Sequence, residues 1–525
     1  MEFRKLTLTC SLALSLFSVA NGQSVQEGKD FILNEQYEKA KGSFYSLIKE
    51  DSSEPDFYYY LGETFLLTQQ IDSAKWAFEK GLSLSEKSAL NHAGLGKATF
   101  FEDEASAKAS FEKALRLTKS KKPEVLLSVA EFYVHSEYKD LTYAQELLDR
   151  ALKFDDKNIE AWLLYGDLFL QQNDGTKVME KYNQAIYLDS NNPKALYKLG
   201  QLYSRARNNE LAMDNFKKAI DANPEFAPAY KEIGELHYKA KKYDEAIDAY
   251  KVYLEKAGDC VDNTFRYASF LFLNKDYKSA KEVLEPLADK DNVNPVAFRL
   301  LAYGSYETED FENGLAYMEK FWETGYEKVL ANDYEYYAKL LRKNGNDSLA
   351  VNNFYTAIEK DNNKVNLYSE IADIEMANKN FEQAAQAYAS RIENGGGTAQ
   401  DYLSLGRAFY SGKDFEQADS VFAKLIELRP ELTIGYMYRG RANANMDPES
   451  EEGLAKPYYE KVIEIAGENK EKHKRDLIEA HSYLGYLYLI NDENAEALHH
   501  WKVVKELDPS NKNAEQVINS LSQNN

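Results

Sequence analysis

Small residues recur inside aromatic-rich stretches of this chain at a fixed interval, and the apolar positions around them keep the same step. Gly28, Gly62, Gly96 and Ala130 stand 34 residues apart. After a step of 36 the series continues at Gly166, Gly200, Gly234, Ala268 and Ala302, again 34 apart. A second step of 36 leads to Ala338, Ala372, Gly406 and Gly440, and a step of 45 to Gly485. Twelve residues after the small residue stands an alanine in most units, among them Ala40, Ala74, Ala212, Ala246 and Ala418. Sixteen after it comes a large side chain, as at Phe44, Phe78, Tyr182, Phe216, Phe422 and Trp501. Pro224, Pro430 and Pro509 fall 24 after the small residue, and Pro55, Pro123, Pro193 and Pro295 fall seven before one.

This register predicts pairs of antiparallel helices. Proline is tolerated in a first helical turn, where its missing N–H costs nothing. The small residue and the alanine let two helices approach closely, and the ring from the second helix fills the space beside them. One such pair cannot bury its own apolar face, so pairs must stack on one another. The predicted fold is all-α, an α-solenoid of about 14 helix pairs over residues 23–511. Residues 512–525 follow as a capping helix and tail, with Ala514, Val517, Ile518 and Leu521 at helical spacing. Several units depart from the pattern. Val178 and Gly314 replace the second-helix alanine, which predicts looser packing there. Displacement of the alanine to Ala107 and Ala144 predicts altered turns. Met446 to Gly453 inserts residues, Gly467 to Asp476 lengthens an exit, and Gly395-Gly396-Gly397 is a sharp or flexible junction.

The chain resembles the tetratricopeptide repeat (TPR) family. The unit from Pro193 to Phe226 carries the pattern in Leu196, Leu199, Gly200, Tyr203, Ala212, Phe216, Ala219 and Pro224. Tyr402, Leu405, Gly406, Phe409, Ala418, Phe422 and Pro430 repeat it. The resemblance implies a right-handed superhelix in which the first helix of each pair lines a concave groove where a protein or peptide partner docks. Residues one and four past the small residue then face the groove, and Tyr303, Tyr306, Lys339, Arg342, Arg407 and Arg441 are the candidate partner-binding set. They would hold an acidic, aromatic-tolerant segment. Asp373 falls among them and weakens the patch. The family's carboxylate clamp, built from Lys and Asn on successive first helices, is not supplied, since Glu63, Glu131, Asp167, Glu235 and Asp373 stand at such places.

Composition narrows the function. Lys+Arg 64 against Asp+Glu 86 gives a net charge of −22, which argues against nucleic acid and anionic membrane surfaces as partners. Tyr, Phe and Trp number 39, 26 and 4, a supply the stacked helices use as core. Arg4 and Lys5, an apolar run from Leu6 to Ala20 and small residues up to Gly22 read as a signal peptide over residues 1–22. That run is too short to span a bilayer and no later stretch reaches 18 apolar residues, so no stable membrane insertion is expected. Cleavage removes Cys10 and leaves Cys260 without an intrachain partner.

Catalytic and metal motifs fail on inspection. Gly94-Leu95-Gly96-Lys97-Ala98 lacks the first glycine and the Ser/Thr of a phosphate loop. A calcium-loop start at Asp289 fails at Asn294 and Leu300. Glu496, His499 and His500 share a helix, for which a solvated face is the plain reading. No catalytic residue, cofactor or metal is expected. The expectation is an exported, non-catalytic scaffold, periplasmic by resemblance, with an accessory subunit of a polysaccharide-export or outer-membrane assembly system as the alternative.

Overall fold

The computed structural model describes residues 24–523 apart from Asp259, Asp291, Asn292 and Glu468. The signal-peptide reading over residues 1–22 lies outside the described residues. Within them the chain forms 29 helices and no strand, as fourteen consecutive pairs and a final helix, Lys512–Gln523. The chain divides into two compact units, one up to Val293 and one from Asn294. Eight pairs belong to the first, and six with the final helix to the second.

Each pair is built by the same local rules. Pro55, Pro123, Pro193 and Pro295 each stand in a first helical turn. A side-chain oxygen commonly caps that turn, as where Ala195 N–H donates to Asn192 Oδ1 at 3.0 Å. Inside most pairs the connection turns through one left-handed residue seven after the small residue. Glu35, Gln69, Asn173, Arg207, Lys241 and Lys275 hold this place with φ near 60° (57°, 58°, 58°, 59°, 58° and 63°).

Packing between the two helices of a pair follows the register. Phe44, Phe78, Phe216, Phe354 and Phe422 are fully buried. A Cβ added to Gly200 would lie 2.6 Å from the Phe216 ring, and one on Gly406 would lie 2.5 Å from Phe422. The displaced alanines fit as well: Ala107 and Ala144 are fully buried, and Gly96 meets Phe111 across a shortened turn. Val178 also is fully buried, so the larger side chain is absorbed without loss of packing. Gly395-Gly396-Gly397 is a sharp turn. Helix Phe381–Gly395 ends there, Gly396 has φ 77°, and Thr398 with Asp401 forms a capping box for helix Ala399–Ser411.

The insertion after Met446 is organised by one carboxylate. Asp447 accepts the backbone N–H groups of Glu451, Glu452 and Gly453 at 2.9, 3.1 and 2.8 Å, which delivers the chain to helix Lys456–Ala466. At the C-terminal end Ala514 packs with Trp501 and Val504, and Val517 and Ile518 lie against them. The final helix thereby covers the last pair. In the first unit the turn after the first helix returns to later pairs: Asn223 donates to Asn34 at 3.2 Å, and Leu33 packs on the Phe216–Phe226 cluster.

Candidate partner-binding surfaces

The first helices of the early pairs surround a groove of about 1320 Å³ in the first unit. The residue one past the small position points into it in four successive units, as Glu63, Lys97, Glu131 and Asp167. The first three stand 34 residues apart and form a ladder. Lys97 donates to Glu63 Oε2 at 2.9 Å and to Glu131 Oε2 at 2.8 Å. Burial alone would lower the Lys97 ammonium, but Glu131 and Glu63 outweigh it and hold the pKa well above the ordinary value. Burial pushes the Glu63 carboxyl up. It acts on Glu131 too, where the Lys97 charge and hydrogen bond prevail and the net shift is downward.

Asp167 is the next step. Burial opposes its charge, but His135, Lys198 and Tyr182 all bond to it and lower its pKa to about 2. Lys198 Nζ donates to its two oxygens at 2.9 and 2.7 Å, and Tyr182 Oη to Oδ1 at 2.5 Å. Beside these charges the groove wall is apolar. Leu67, Ile71 and Phe101 line it while remaining 51%, 41% and 62% exposed.

The six residues named from sequence all lie in the second unit, in three kinds of setting. Tyr303 is buried. Its hydroxyl donates to Asp333 Oδ1 at 2.6 Å and its ring stacks on Tyr336 with centroids 3.9 Å apart. Asp333 is itself fully buried and takes a forked pair from Arg299 at 2.6 and 2.8 Å. Arg441 is similarly engaged, with Nε and Nη2 each 2.7 Å from the Glu479 carboxylate. That hydrogen-bonded pair raises the Arg441 pKa against the opposing effect of burial.

Tyr306, Lys339 and Arg342 are half-buried. Lys339 donates to Glu335 at 2.6 Å and lies 5.7 Å from the Tyr306 ring centroid, while Arg342 reaches Glu370 at 2.6 Å. Arg407 is exposed and has no ion pair among the described residues. The structure thus brings Tyr303, Tyr306 and Lys339 together around Tyr336 and leaves Arg407 as the most available cation of the set.

Sequence reading missed the groove of the first unit. Its signal was present in the alternation of Glu63, Lys97 and Glu131 at one repeat position, a charge pattern that neighbouring helices convert into ion pairs. Among the described residues no group of three or more His, Cys, Asp and Glu could hold a metal ion. No described helix is long and apolar enough to cross a membrane.

Sequence profiles of known families match within this architecture. Those described as tetratricopeptide repeat match residues 197–259, 237–302 and 402–431, and one described as TPR repeat matches residues 166–206. No curated protein sequence matches the chain. Among solved structures, the C-terminal part of a TPR repeat-containing protein from Cytophaga hutchinsonii is 37% identical. It covers 48% of this chain and 99% of its own, with a TM-score of 0.42. The Cut9–Hcn1 hetero-tetramer of the APC/C is 13% identical over 94% of this chain and 95% of its own, with a TM-score of 0.29. YrrB, a TPR protein with an unusual peptide-binding site, is 22% identical over 38% of this chain and 97% of its own, with a TM-score of 0.23. With the repeat profiles, the 37% identity and the glycine-to-ring register inside its helix pairs, the chain belongs to the tetratricopeptide repeat family.

Proposed function

We propose that the chain is an exported, non-catalytic scaffold of the cell envelope that holds another protein or a peptide against the inner helices of its repeats. The observation that carries this reading is the unbroken run of helix pairs. They account for the described residues from Val25 to the final helix, so the chemistry on offer is surface and groove. Export rests on the basic, apolar and small-residue order of residues 1–22. The cations and tyrosines of the second unit supply one docking surface. Arg407, Arg342 and Lys339 offer charge-assisted hydrogen bonds to an acidic segment, and Tyr306 offers a ring beside them.

Crosslinking in the native cell followed by purification tests the reading. A specific partner should be recovered from the envelope fraction, and the purified chain should begin at Gln23. Recovery from the cytosol of a chain that keeps residues 1–22, with no crosslinked partner, would overturn it.

A further inference from the structure

The groove of the first unit is lined by more carboxylates than ammonium groups, beside an apolar edge that no described residue covers. Eight Asp and Glu residues line it against four Lys, and of the eight Glu102 is paired from outside the lining by Lys75. Lys97 is shared between Glu63 and Glu131, so one ammonium serves two carboxyl groups. Glu63 Oε1 is buried without a hydrogen-bond partner among the described residues. Asp30, on the same wall, is bonded by the neutral amide of Gln26 at 2.9 Å. Leu67, Ile71 and Phe101 meanwhile expose about half of their surface to water along the same groove.

We infer that this groove takes an extended segment of a partner protein in which basic and large apolar residues alternate. A Lys or Arg on the segment would supply the charge that Glu63 and Glu131 share too thinly, through charge-assisted hydrogen bonds. Its aliphatic side chains would cover Leu67, Ile71 and Phe101, and burial of that area favours association. An acidic segment meets like charge here and is rejected. The inference rests on the scaffold reading only in taking the occupant to be protein. The preference is opposite in sign to that of the Arg407 surface, which makes the two sites separable.

The test uses the full chain and three short fluorescein-labelled peptides, alternating Lys with Leu, Glu with Leu, and Lys with Ser. Fluorescence anisotropy should show the Lys–Leu peptide binding, with affinity falling as salt rises. The Lys–Ser peptide should bind roughly tenfold more weakly, and the Glu–Leu peptide not at all. Glu131→Gln keeps an acceptor for Lys97 but removes the charge, and should weaken the Lys–Leu peptide by roughly tenfold. Phe101→Ser, with its fold checked by circular dichroism, should weaken it by a similar factor. Glu359→Gln removes an exposed carboxylate of the second unit and should leave the affinity unchanged. Equal binding of the Glu–Leu peptide, or Glu131→Gln and Phe101→Ser both binding like the parent, would overturn the inference. If crosslinking recovers a partner while the Lys–Leu peptide does not bind, this inference falls alone. If both experiments fail, the scaffold reading falls with it.

Discussion

Tyr253 donates its hydroxyl hydrogen to Glu35 at 2.8 Å, joining the turn after the first helix to the second helix of the seventh pair, 218 residues further along the chain. Tyr253 is fully buried, and its oxygen also accepts from Asn263 Nδ2 at 2.5 Å. Burial first, and then the Glu35 charge, raise the Tyr253 pKa, so the phenol remains a donor throughout the physiological range. The first pair is therefore held at both ends, by stacking on its neighbour and by this contact.

Tyr253→Phe should unfasten that end. It leaves the Asn263 amide and the Glu35 carboxylate without their shared partner, at a cost of about 1–2 kcal/mol. Amides of helix Val25–Leu33 should exchange faster, because a helix held at one end opens locally. Exchange at Val25–Leu33 identical to that of the parent would show that the contact adds nothing to the first pair.

Gly200 offers a test of packing. A Cβ there would already lie 2.6 Å from Phe216, a ring that is fully buried and has nowhere to move. Gly200→Leu should cost about 1–3 kcal/mol by overpacking, and can split the transition because repeat arrays unfold piecewise. Thermal melts of the two proteins that superimpose would mean Gly200 is not pressed between helices.

Much of this fold could be read directly from the residues, because a small residue facing a ring tolerates no drift. Gly200 and Phe216, and Gly406 and Phe422, fix both helices of a pair and the distance between them. The left-handed turn position was hidden. Apart from Asn173 it is mostly filled by Glu, Gln, Arg and Lys, which do not mark such a backbone as glycine or asparagine would. Asp447 was hidden too, since its four backbone donors, Glu451 to Leu454, are gathered by the turn itself. At the candidate surface, the register names the inner helices but not what their side chains meet. Tyr303 and Arg441 are taken up by Asp333 and Glu479 from the next first helix, an engagement that depends on how adjacent pairs are offset.

Two histidines make the last pair sensitive to acid. His481 Nδ1 and His500 Nδ1 lie 2.7 Å apart, a geometry in which one neutral ring donates and the other accepts. Burial, with repulsion from neighbouring histidines second, lowers both pKa values to about 4. His499, Lys470 and Lys456 add repulsion, Glu496 opposes it, and Tyr488 stacks on His500. In the unfolded chain both rings titrate near pH 6.5. Between about pH 4 and 6.5 the unfolded chain therefore binds more protons, and stability rises with pH. The full contribution is present above pH 6.5 and is lost as the pH falls towards 4. Each pKa step is worth about 1.4 kcal/mol, so the buried His481 ring should lose about 3 kcal/mol, and solvent at the half-buried His500 ring makes its share smaller. His500→Gln should roughly halve the change in denaturant midpoint between pH 7 and pH 4.5. An undiminished change would place the titrating groups elsewhere.

The cations of the second unit must be tested one at a time, because they are held differently. Arg407 is exposed and unpaired among the described residues, so Arg407→Glu should alter stability by no more than about 0.5 kcal/mol. Arg441 forms a two-point ion pair with Glu479, and the side chains are only 32% and 36% exposed. Arg441→Glu would set two carboxylates face to face beside the Tyr459 hydroxyl, which lies 3.3 Å from Glu479. A loss of about 1–3 kcal/mol is expected there, mostly from the stranded Glu479 charge. A drop in partner capture by Arg441→Glu alone would therefore report unfolding as readily as lost contact. Arg407→Glu isolates the contact. It should melt like the parent, capture less of an acidic partner and show a weaker salt dependence. Full capture by folded Arg407→Glu would move the acidic-partner surface away from this helix.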